Sequence, residues 1–237
     1  YSSAASDVYK RQDDKLSTVK TVNGKKPVFF GLDAKNDFYA KNIKNSGDGK
    51  VLATLCFDNN NIDVEIPAIG TYMVTNALAA AAAGNLLGLT DEEIANGVAS
   101  YQTVGSRANV INTGKIKIID DCYNANPTSV RASLDTLSNL DGRKVAILGD
   151  MKELGSEELK LHFDTGVYAK SKDIGTVITV GELAKELAKG ADGKAFDTIE
   201  DAKPEILKTI KSGDVVLVKA SHSMQFENIV EFLKQNF

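Results

Sequence analysis

Residues 116–130 read IKIIDDCYNANPTSV, a short apolar run followed by a polar turn and then by a helix start. The run Ile116–Ile119 is apolar enough for a strand that is buried on both faces, as strands of parallel sheets are. Asn126 suits the N-cap of a helix, and Pro127 suits its first position, where the missing N–H costs nothing. The stretch therefore predicts a strand, a turn and a helix in direct succession.

Apolar runs and helical patterns continue to alternate through the rest of the chain. The predicted strands are Lys144–Leu148, Thr176–Val180 and Val215–Val218, and the predicted helices are Thr128–Leu137, Glu157–Lys170, Glu182–Lys189, Asp201–Lys211 and Met224–Gln235. Repeated strand–helix units require parallel strands joined by right-handed crossovers. We therefore expect an α/β fold in which residues 106–237 form a Rossmann-like domain with a mostly parallel sheet.

The part of the chain before Gln102 shows a different pattern, with short strands first and helices after them. The predicted strands are Val28–Leu32, Phe38–Ile43, Val51–Phe57 and Ile62–Ile66, and the predicted helices are Met73–Leu87 and Asp91–Tyr101. The run Asp58–Asn61 suits a hairpin turn between the last two strands. Thr90 and Glu93 form a capping box at the start of the second helix.

These patterns divide the chain into three segments. Residues 1–12 show no periodicity and resemble translated vector sequence, so we expect a non-native leader there. Residues 13–105 and 106–237 are the two folded parts. The boundary between them is predicted in Gln102–Ser106, where Gly105 and polar residues interrupt both patterns.

Composition excludes several classes of protein. The 237 residues carry 28 basic and 32 acidic side chains, a formal net charge of −4, which argues against nucleic-acid binding through a basic surface. No apolar run approaches the ~20 residues that a membrane-spanning helix needs. The 2 cysteines exclude a disulfide framework and fit a reducing compartment. We expect a cytoplasmic protein without membrane insertion.

Candidate site residues follow the predicted strands, because ligands of open parallel sheets bind beyond the carboxyl ends of the strands. Asp121, after the first strand, can accept ribose hydroxyls or hold a cation, and it caps nothing obvious in the sequence. For Asn126, capping alone suffices as an explanation. Arg107, in the segment between the two folded parts, suits either an interdomain salt bridge or an anion contact.

Two further strand ends carry polar residues. Asp150 lies in the loop after Lys144–Leu148, and the helix that follows carries His162; these residues suit either a polar cleft or a solvated loop with a packed histidine. Lys219 and Ser221 follow Val215–Val218 and open a helix, an arrangement that suits a carboxylate or a phosphate. Ser221 could equally be a simple cap.

Several common site motifs are absent from the sequence. It contains no G-x-x-x-x-G-K-[ST] P-loop, no G-x-G-x-x-G, no G-x-S-x-G elbow and no Cys/His cluster with zinc spacing. From the residues alone, the chain is a ligand-binding α/β protein whose reaction stays open.

Four motifs together resemble those of one enzyme family. They are DDCYNANP at 120–127, ILGDMKELG at 147–155 with His162 following, MVTNALAA at 73–80 and KASHSM at 219–224. From Asp13 to Phe237 the chain resembles the Mur ligases of the MurF type, which add D-alanyl-D-alanine to UDP-N-acetylmuramoyl-tripeptide in peptidoglycan precursor synthesis. The resemblance implies that residues 13–105 are the C-terminal portion of an ATP-binding central domain, and that residues 106–237 are the C-terminal domain.

The resemblance also implies chemistry and site residues. The enzyme would be a monomeric ATP-dependent amide ligase that uses ATP and Mg²⁺. The family's P-loop and Mg²⁺ ligands belong upstream of Asp13, so no catalytic or metal-binding residue is expected in this chain, and the chain alone would be inactive. The implied nucleotide contacts are Asn76 to adenine, Arg107 to the phosphates and Asp121 to the ribose. The implied substrate contacts are Asn124, Asn126, Asp150, Lys219 and Ser221.

Two other interpretations compete with this one. The chain could be a non-catalytic module that binds a nucleotide or a dipeptide. It could also belong to a sister Mur ligase that adds a different residue, or to a ligase of the folylpolyglutamate synthase type.

Overall fold

The computed structural model describes residues 20–46, 49–102 and 105–237. The chain divides into two compact units, Tyr1–Gln102 and Thr103–Phe237. The predicted leader, residues 1–12, lies outside the described residues, and so do residues 103 and 104 of the predicted boundary segment. Within the described residues, no helix is both long and apolar enough to cross a membrane.

The first unit is a small antiparallel sheet with two helices. Its elements are β1 (Tyr39–Asn45), β2 (Val51–Phe57), β3 (Asn60–Ile66), α1 (Met73–Leu86) and α2 (Asp91–Ala99). The sheet order is β1-β2-β3. Asp58 and Asn59 join β2 to β3 with φ values of 46° and 64°, the left-handed backbone that short hairpin turns require. Leu55, Ile66 and Leu78 are fully buried between the sheet and α1.

The predicted strand Val28–Leu32 is wrong. Within the described part of the first unit, this stretch makes only an isolated bridge between Phe30 and Phe38. The Asp37 carboxylate accepts the Phe29 N–H, which a continuous strand would give to a neighbouring strand. Val28 and Leu32 are also exposed, so burial does not favour a strand there.

The second unit is a six-stranded sheet flanked by helices. Its strands are β4 (Asn109–Asn112), β5 (Lys117–Asp120), β6 (Lys144–Gly149), β7 (Thr176–Val180), β8 (Lys194–Phe196) and β9 (Val215–Lys219). Its helices are α3 (Pro127–Ser138), α4 (Glu158–Ser171), α5 (Ala184–Ala191), α6 (Ile199–Thr209) and α7 (Glu227–Asn236). The order is β4-β5-β9-β6-β7-β8, and every neighbouring pair is parallel except β4 with β5.

The predicted parallel sheet is thus confirmed, and its two edges are what the sequence analysis missed. β4 and β8 are short and mostly exposed, so they lack the buried apolar run that marks the central strands. The helix predicted at Met224–Gln235 begins later, at Glu227, because His222–Met224 form a 3₁₀ turn and Gln225 has a left-handed φ of 53°. α6 begins earlier than predicted because the Thr198 hydroxyl accepts the Asp201 N–H and caps the helix.

Helices α4 and α5 touch through two glycines. A Cβ at Gly166 would lie 2.0 Å from the Leu187 carbonyl oxygen, and one at Gly190 would lie 2.3 Å from the Phe163 carbonyl oxygen. Both neighbours are backbone atoms that cannot rotate away. The close packing of these two helices therefore requires glycine at both positions.

We predict that Gly166→Ala destabilises the second unit by about 1–3 kcal/mol, because the added methyl group forces α4 and α5 apart. Native-state hydrogen exchange at the α4 and α5 amides measures the loss. Gly97→Ala is the matched control, since a Cβ at that helical position meets nothing within 4 Å. Unchanged exchange in α4 and α5 of the Gly166 variant would contradict this account of the helix contact.

Candidate functional site

The loops that follow β5, β9 and β6 lie side by side at one edge of the sheet, because these strands are neighbours in the order β5-β9-β6 and run parallel. These are the loops in which the sequence analysis placed most of its candidate residues. The topology therefore brings the DDCYNANP turn, the GDMKELG loop and the KASHSM loop together at the carboxyl ends of the strands.

A buried ion pair joins the DDCYNANP turn after β5 to the KASHSM loop after β9. Lys219 Nζ lies 2.6 Å from Asp121 Oδ2, and the exposed side-chain fractions are 3% for Lys219 and 13% for Asp121. The Ser133 hydroxyl donates to the same carboxylate oxygen, and the Ala108 N–H donates to Oδ1 at 3.1 Å. Buried charges need such pairing and hydrogen bonding. Asp121 thus has a structural partner that the local sequence does not reveal.

Lys219 also holds the turn itself. Its ammonium donates to the Asn124 carbonyl oxygen at 2.8 Å, in addition to the Asp121 carboxylate. The Lys219 side chain therefore points into the protein and fixes the backbone of the DDCYNANP turn. Its predicted contact with substrate stays a prediction.

The asparagines of this turn shape its backbone. Asn124 Oδ1 accepts the Ala125 N–H at 2.8 Å. Asn126 Oδ1 accepts the Ser129 N–H at 2.8 Å, and the Ser129 hydroxyl accepts the Asn126 N–H in return. Asn126 is therefore the N-cap of α3, the role that its sequence position suggests on its own. That either side chain touches a ligand stays a prediction.

Asp150, in the loop after β6, is almost completely buried. Its Oδ1 accepts the Ala184 N–H at 2.8 Å at the start of α5, and its Oδ2 lies 2.7 Å from Lys152 Nζ. The positive end of the α5 dipole also favours a carboxylate there. Gly181 leaves room for this contact, because a Cβ there would lie 2.4 Å from Asp150 Oδ1. Asp150 thus anchors its loop to α5.

Ser221 and His162 fix the same loop from two other sides. The Ser221 N–H donates to the Asp150 carbonyl oxygen, and the Ser221 hydroxyl accepts the Lys152 N–H at 2.8 Å. His162 is fully buried; its Nε2 accepts the Met151 N–H at 2.9 Å, and its Nδ1 donates to the Glu158 carbonyl oxygen. This pairing requires the neutral ring with hydrogen on Nδ1. Of the two alternatives for His162, the structure shows the packed histidine.

Arg107 stacks on an aromatic ring that the sequence analysis did not single out. Its guanidinium carbon lies 3.6 Å from the ring centroid of Tyr123. The Tyr123 ring lies 6.1 Å from the ring of His222, and 49% of Tyr123 is exposed. A tyrosine between two polar motif residues gives little sign of such a contact. Arg107 and Tyr123 thus form an exposed cation–π pair at the turn that carries Asp121.

Asn76 belongs to the first unit, whereas the other predicted site residues belong to the second. It is on α1 at the wall of a pocket of about 350 Å³ between α1 and α2, which Ala77, Ile94 and Tyr101 also line. Asn76 Nδ2 contacts Met73 Sδ at 3.4 Å. The pocket is mainly apolar, with few polar side chains to orient a ligand. The predicted adenine contact stays a prediction.

The described residues offer neither a metal centre nor a reactive thiol at these loops. No group of three or more His, Cys, Asp or Glu side chains within them could hold a metal ion. Burial, followed by the negative charge of Asp120, raises the pKa of the Cys122 thiol well above its ordinary value. Cys122 is therefore a neutral buried side chain that donates to the Val218 carbonyl oxygen.

Comparisons with known proteins identify the family. Residues 3–84 match the model of the Mur ligase middle domain, and residues 106–222 match the model of the Mur ligase glutamate ligase domain. The chain belongs to the Mur ligase family. The resemblance and the fold class predicted from the sequence motifs are thereby confirmed.

Individual Mur ligases agree with the family models. The UDP-N-acetylmuramoyl-tripeptide–D-alanyl-D-alanine ligase of Bacillus subtilis (strain 168) is 34% identical over 215 residues, which cover 86% of this chain and 46% of the relative. A crystal structure of MurF from Acinetobacter baumannii has a TM-score of 0.82 at 30% identity, covering 88% of this chain and 46% of that one. MurF from Thermotoga maritima in complex with ADP has a TM-score of 0.83 at 25% identity, covering 94% and 52%. The chain spans about half the length of the Mur ligases that it matches.

We predict that Lys219→Met destabilises the second unit by about 3–5 kcal/mol, because it leaves the Asp121 carboxylate buried without its partner. Hydrogen exchange at the β5 and β9 amides reports the loss. Lys170→Met is the matched control: Lys170 pairs with Asp192 at the surface, with exposed fractions of 60% and 72%, and should change stability by about 0–1 kcal/mol. Equal effects of the two substitutions would contradict a structural role for the buried pair.

Proposed function

We propose that the protein to which this chain belongs is an ATP-dependent amide ligase that adds D-alanyl-D-alanine to UDP-N-acetylmuramoyl-tripeptide. The observation that carries the proposal is the match to the Bacillus subtilis enzyme of that name, at 34% identity over 86% of this chain. The ADP complex of the Thermotoga maritima relative supports the nucleotide part of the proposal. The product would be a peptidoglycan precursor, made in the cytoplasm by a monomeric enzyme without a nucleic-acid or membrane partner.

The two folded parts would have different roles in this reaction. Residues 13–105 would be the C-terminal portion of the ATP-binding central domain, and residues 106–237 the domain that receives the dipeptide. Mg²⁺ in nucleotide sites is held by one or two carboxylates together with phosphate oxygens and water, and the described residues contain no group of three or more His, Cys, Asp or Glu side chains that could hold it alone. As the resemblance implies, the proposal assigns the P-loop and most of the Mg²⁺ ligands to sequence upstream of Asp13.

The reaction would proceed through an acyl phosphate. The terminal carboxylate of the tripeptide attacks the γ-phosphorus of ATP and displaces ADP. The amine of D-alanyl-D-alanine then attacks the acyl carbon, phosphate leaves, and the amine loses a proton as the amide forms. Catalysis of phosphoryl transfer is mostly positioning and neutralisation of charge. The residues of this chain would contribute positioning.

The polar and charged groups near the strand ends suit such a role in different ways. Among the residues that the structure describes, Asp121 Oδ1 accepts one hydrogen bond, from Ala108; a carboxylate oxygen can accept two, so a ribose hydroxyl could be the second donor. Arg107 is exposed and can meet phosphate oxygens. Ser221 accepts the Lys152 N–H through its oxygen, and its own O–H remains a donor suited to the dipeptide carboxylate.

We predict that the product of the complete reading frame releases phosphate when ATP, Mg²⁺, UDP-N-acetylmuramoyl-tripeptide and D-alanyl-D-alanine are all present. Because the 237-residue chain has no G-x-x-x-x-G-K-[ST] motif, it should release none by itself. Phosphate release that depends on a single amino acid or on a folate instead of the dipeptide would favour a sister ligase. Nucleotide binding by the complete protein without any turnover would favour a non-catalytic module.

We also predict that Asp121 contributes to ATP affinity. Asp121→Ala alone is a poor test, because it leaves Lys219 buried without its partner. In the Lys219→Met background of the complete enzyme, a further Asp121→Ala substitution should raise the KM for ATP roughly tenfold, through the loss of one charge-assisted hydrogen bond. The Lys219→Met enzyme is the control. The same KM for ATP in both folded enzymes would remove Asp121 from the nucleotide site.

A further inference from the structure

The Arg107 guanidinium lies close to the Tyr123 ring, although both side chains are exposed. A guanidinium centred 3.6 Å above the ring centroid is well within the ~6 Å range of cation–π attraction. Arginine has a long side chain with many rotamers, and an exposed one is ordinarily mobile. Here the guanidinium lies over the Tyr123 ring.

The backbone on both sides of Arg107 is attached to the same turn. The Ser106 carbonyl oxygen accepts the Tyr123 N–H at 2.9 Å, and the Ala108 N–H donates to Asp121 Oδ1 at 3.1 Å. Ala108 has a left-handed φ of 53°, which residues with a Cβ seldom adopt and which the surrounding contacts must therefore maintain. Arg107 thus lies on a short segment that is hydrogen-bonded at each end to the turn carrying Tyr123 and Asp121.

We propose that Tyr123 is a positioning residue that holds the Arg107 guanidinium at the DDCYNANP turn before a nucleotide arrives. The inference rests on the proposed function, in which Arg107 meets the phosphates and Asp121 the ribose of ATP. Tyr123 itself does not touch the nucleotide; its ring reduces the conformational freedom that Arg107 would otherwise lose on binding. Preorganisation of this kind increases affinity without adding a contact.

The first experiment tests the position of the side chain without any nucleotide. In the 237-residue chain, NMR of the arginine Nε–H groups should show the Arg107 signal shifted upfield by the Tyr123 ring. The shift should remain in Tyr123→Phe and disappear in Tyr123→Leu. An Arg107 signal at the same position in the original chain and in Tyr123→Leu would overturn the proposal.

The second experiment measures function in the complete enzyme. Tyr123→Leu should raise the KM for ATP about two- to fivefold, the range expected from an exposed cation–π contact, and Tyr123→Phe should restore most of the affinity. Phe232→Leu is the matched control. Lys203 Nζ on α6 lies 5.3 Å from the ring centroid of Phe232 on α7, and loss of this cation–π contact should not change the KM for ATP. A rise in KM for Tyr123→Leu that Tyr123→Phe does not restore would overturn the proposal.

A double-substitution cycle separates this inference from the proposed function. If Tyr123 acts through Arg107, Tyr123→Leu has no further effect on the KM for ATP in an Arg107→Ala enzyme. An equal effect of Tyr123→Leu with and without Arg107 would overturn the positioning role. If Arg107→Ala itself left the KM for ATP unchanged, the proposed phosphate contact would fail, and the positioning role in binding would fail with it, whatever the NMR result for the stack.

Discussion

The buried ion pair of Lys219 and Asp121 is the interaction on which the strand-end region depends. It joins residues 98 positions apart in the sequence and connects the end of β9 to the turn after β5. Two charges in a nearly dry environment need further hydrogen bonds from the protein to offset the loss of water. Ser133 and Ala108 donate to Asp121, and the Asn124 carbonyl accepts from Lys219, so that α3, the segment before β4 and the DDCYNANP turn all meet at this pair.

Because β9 lies at the centre of the sheet, the loop after β6 also depends on the residues at the end of this strand. β9 is the last strand in the sequence, yet it lies between β5 and β6 in the sheet. Lys219 at its end binds the turn after β5, and Ser221, two residues on, binds the loop after β6. The two loops therefore obtain their relative position from β9, and the strand-end region cannot form before the C-terminal part of the chain has joined the sheet.

Local features were the ones that the sequence could predict. The central strands show long buried apolar runs, and the Asn126 cap and the Thr90–Glu93 capping box involve residues three positions apart. The contacts that define the candidate site are not local: Asp121 meets Lys219, Asp150 meets the start of α5, and Arg107 meets Tyr123. No periodicity or motif spacing contains these pairings, because they follow from the order of strands in the sheet.

The candidate residues consequently fall into two physical groups, which the motifs alone do not distinguish. Lys219, Asp150 and His162 are buried and form hydrogen bonds with other groups of the protein, so they determine where the loops lie. Arg107 and Tyr123 are exposed and contact each other. Asp121 pairs with Lys219 through Oδ2 and accepts the Ala108 N–H through Oδ1. A substitution in the first group is therefore expected to act on the fold before it acts on ligand binding, whereas a substitution of the exposed Arg107 side chain is expected to leave these loop contacts in place.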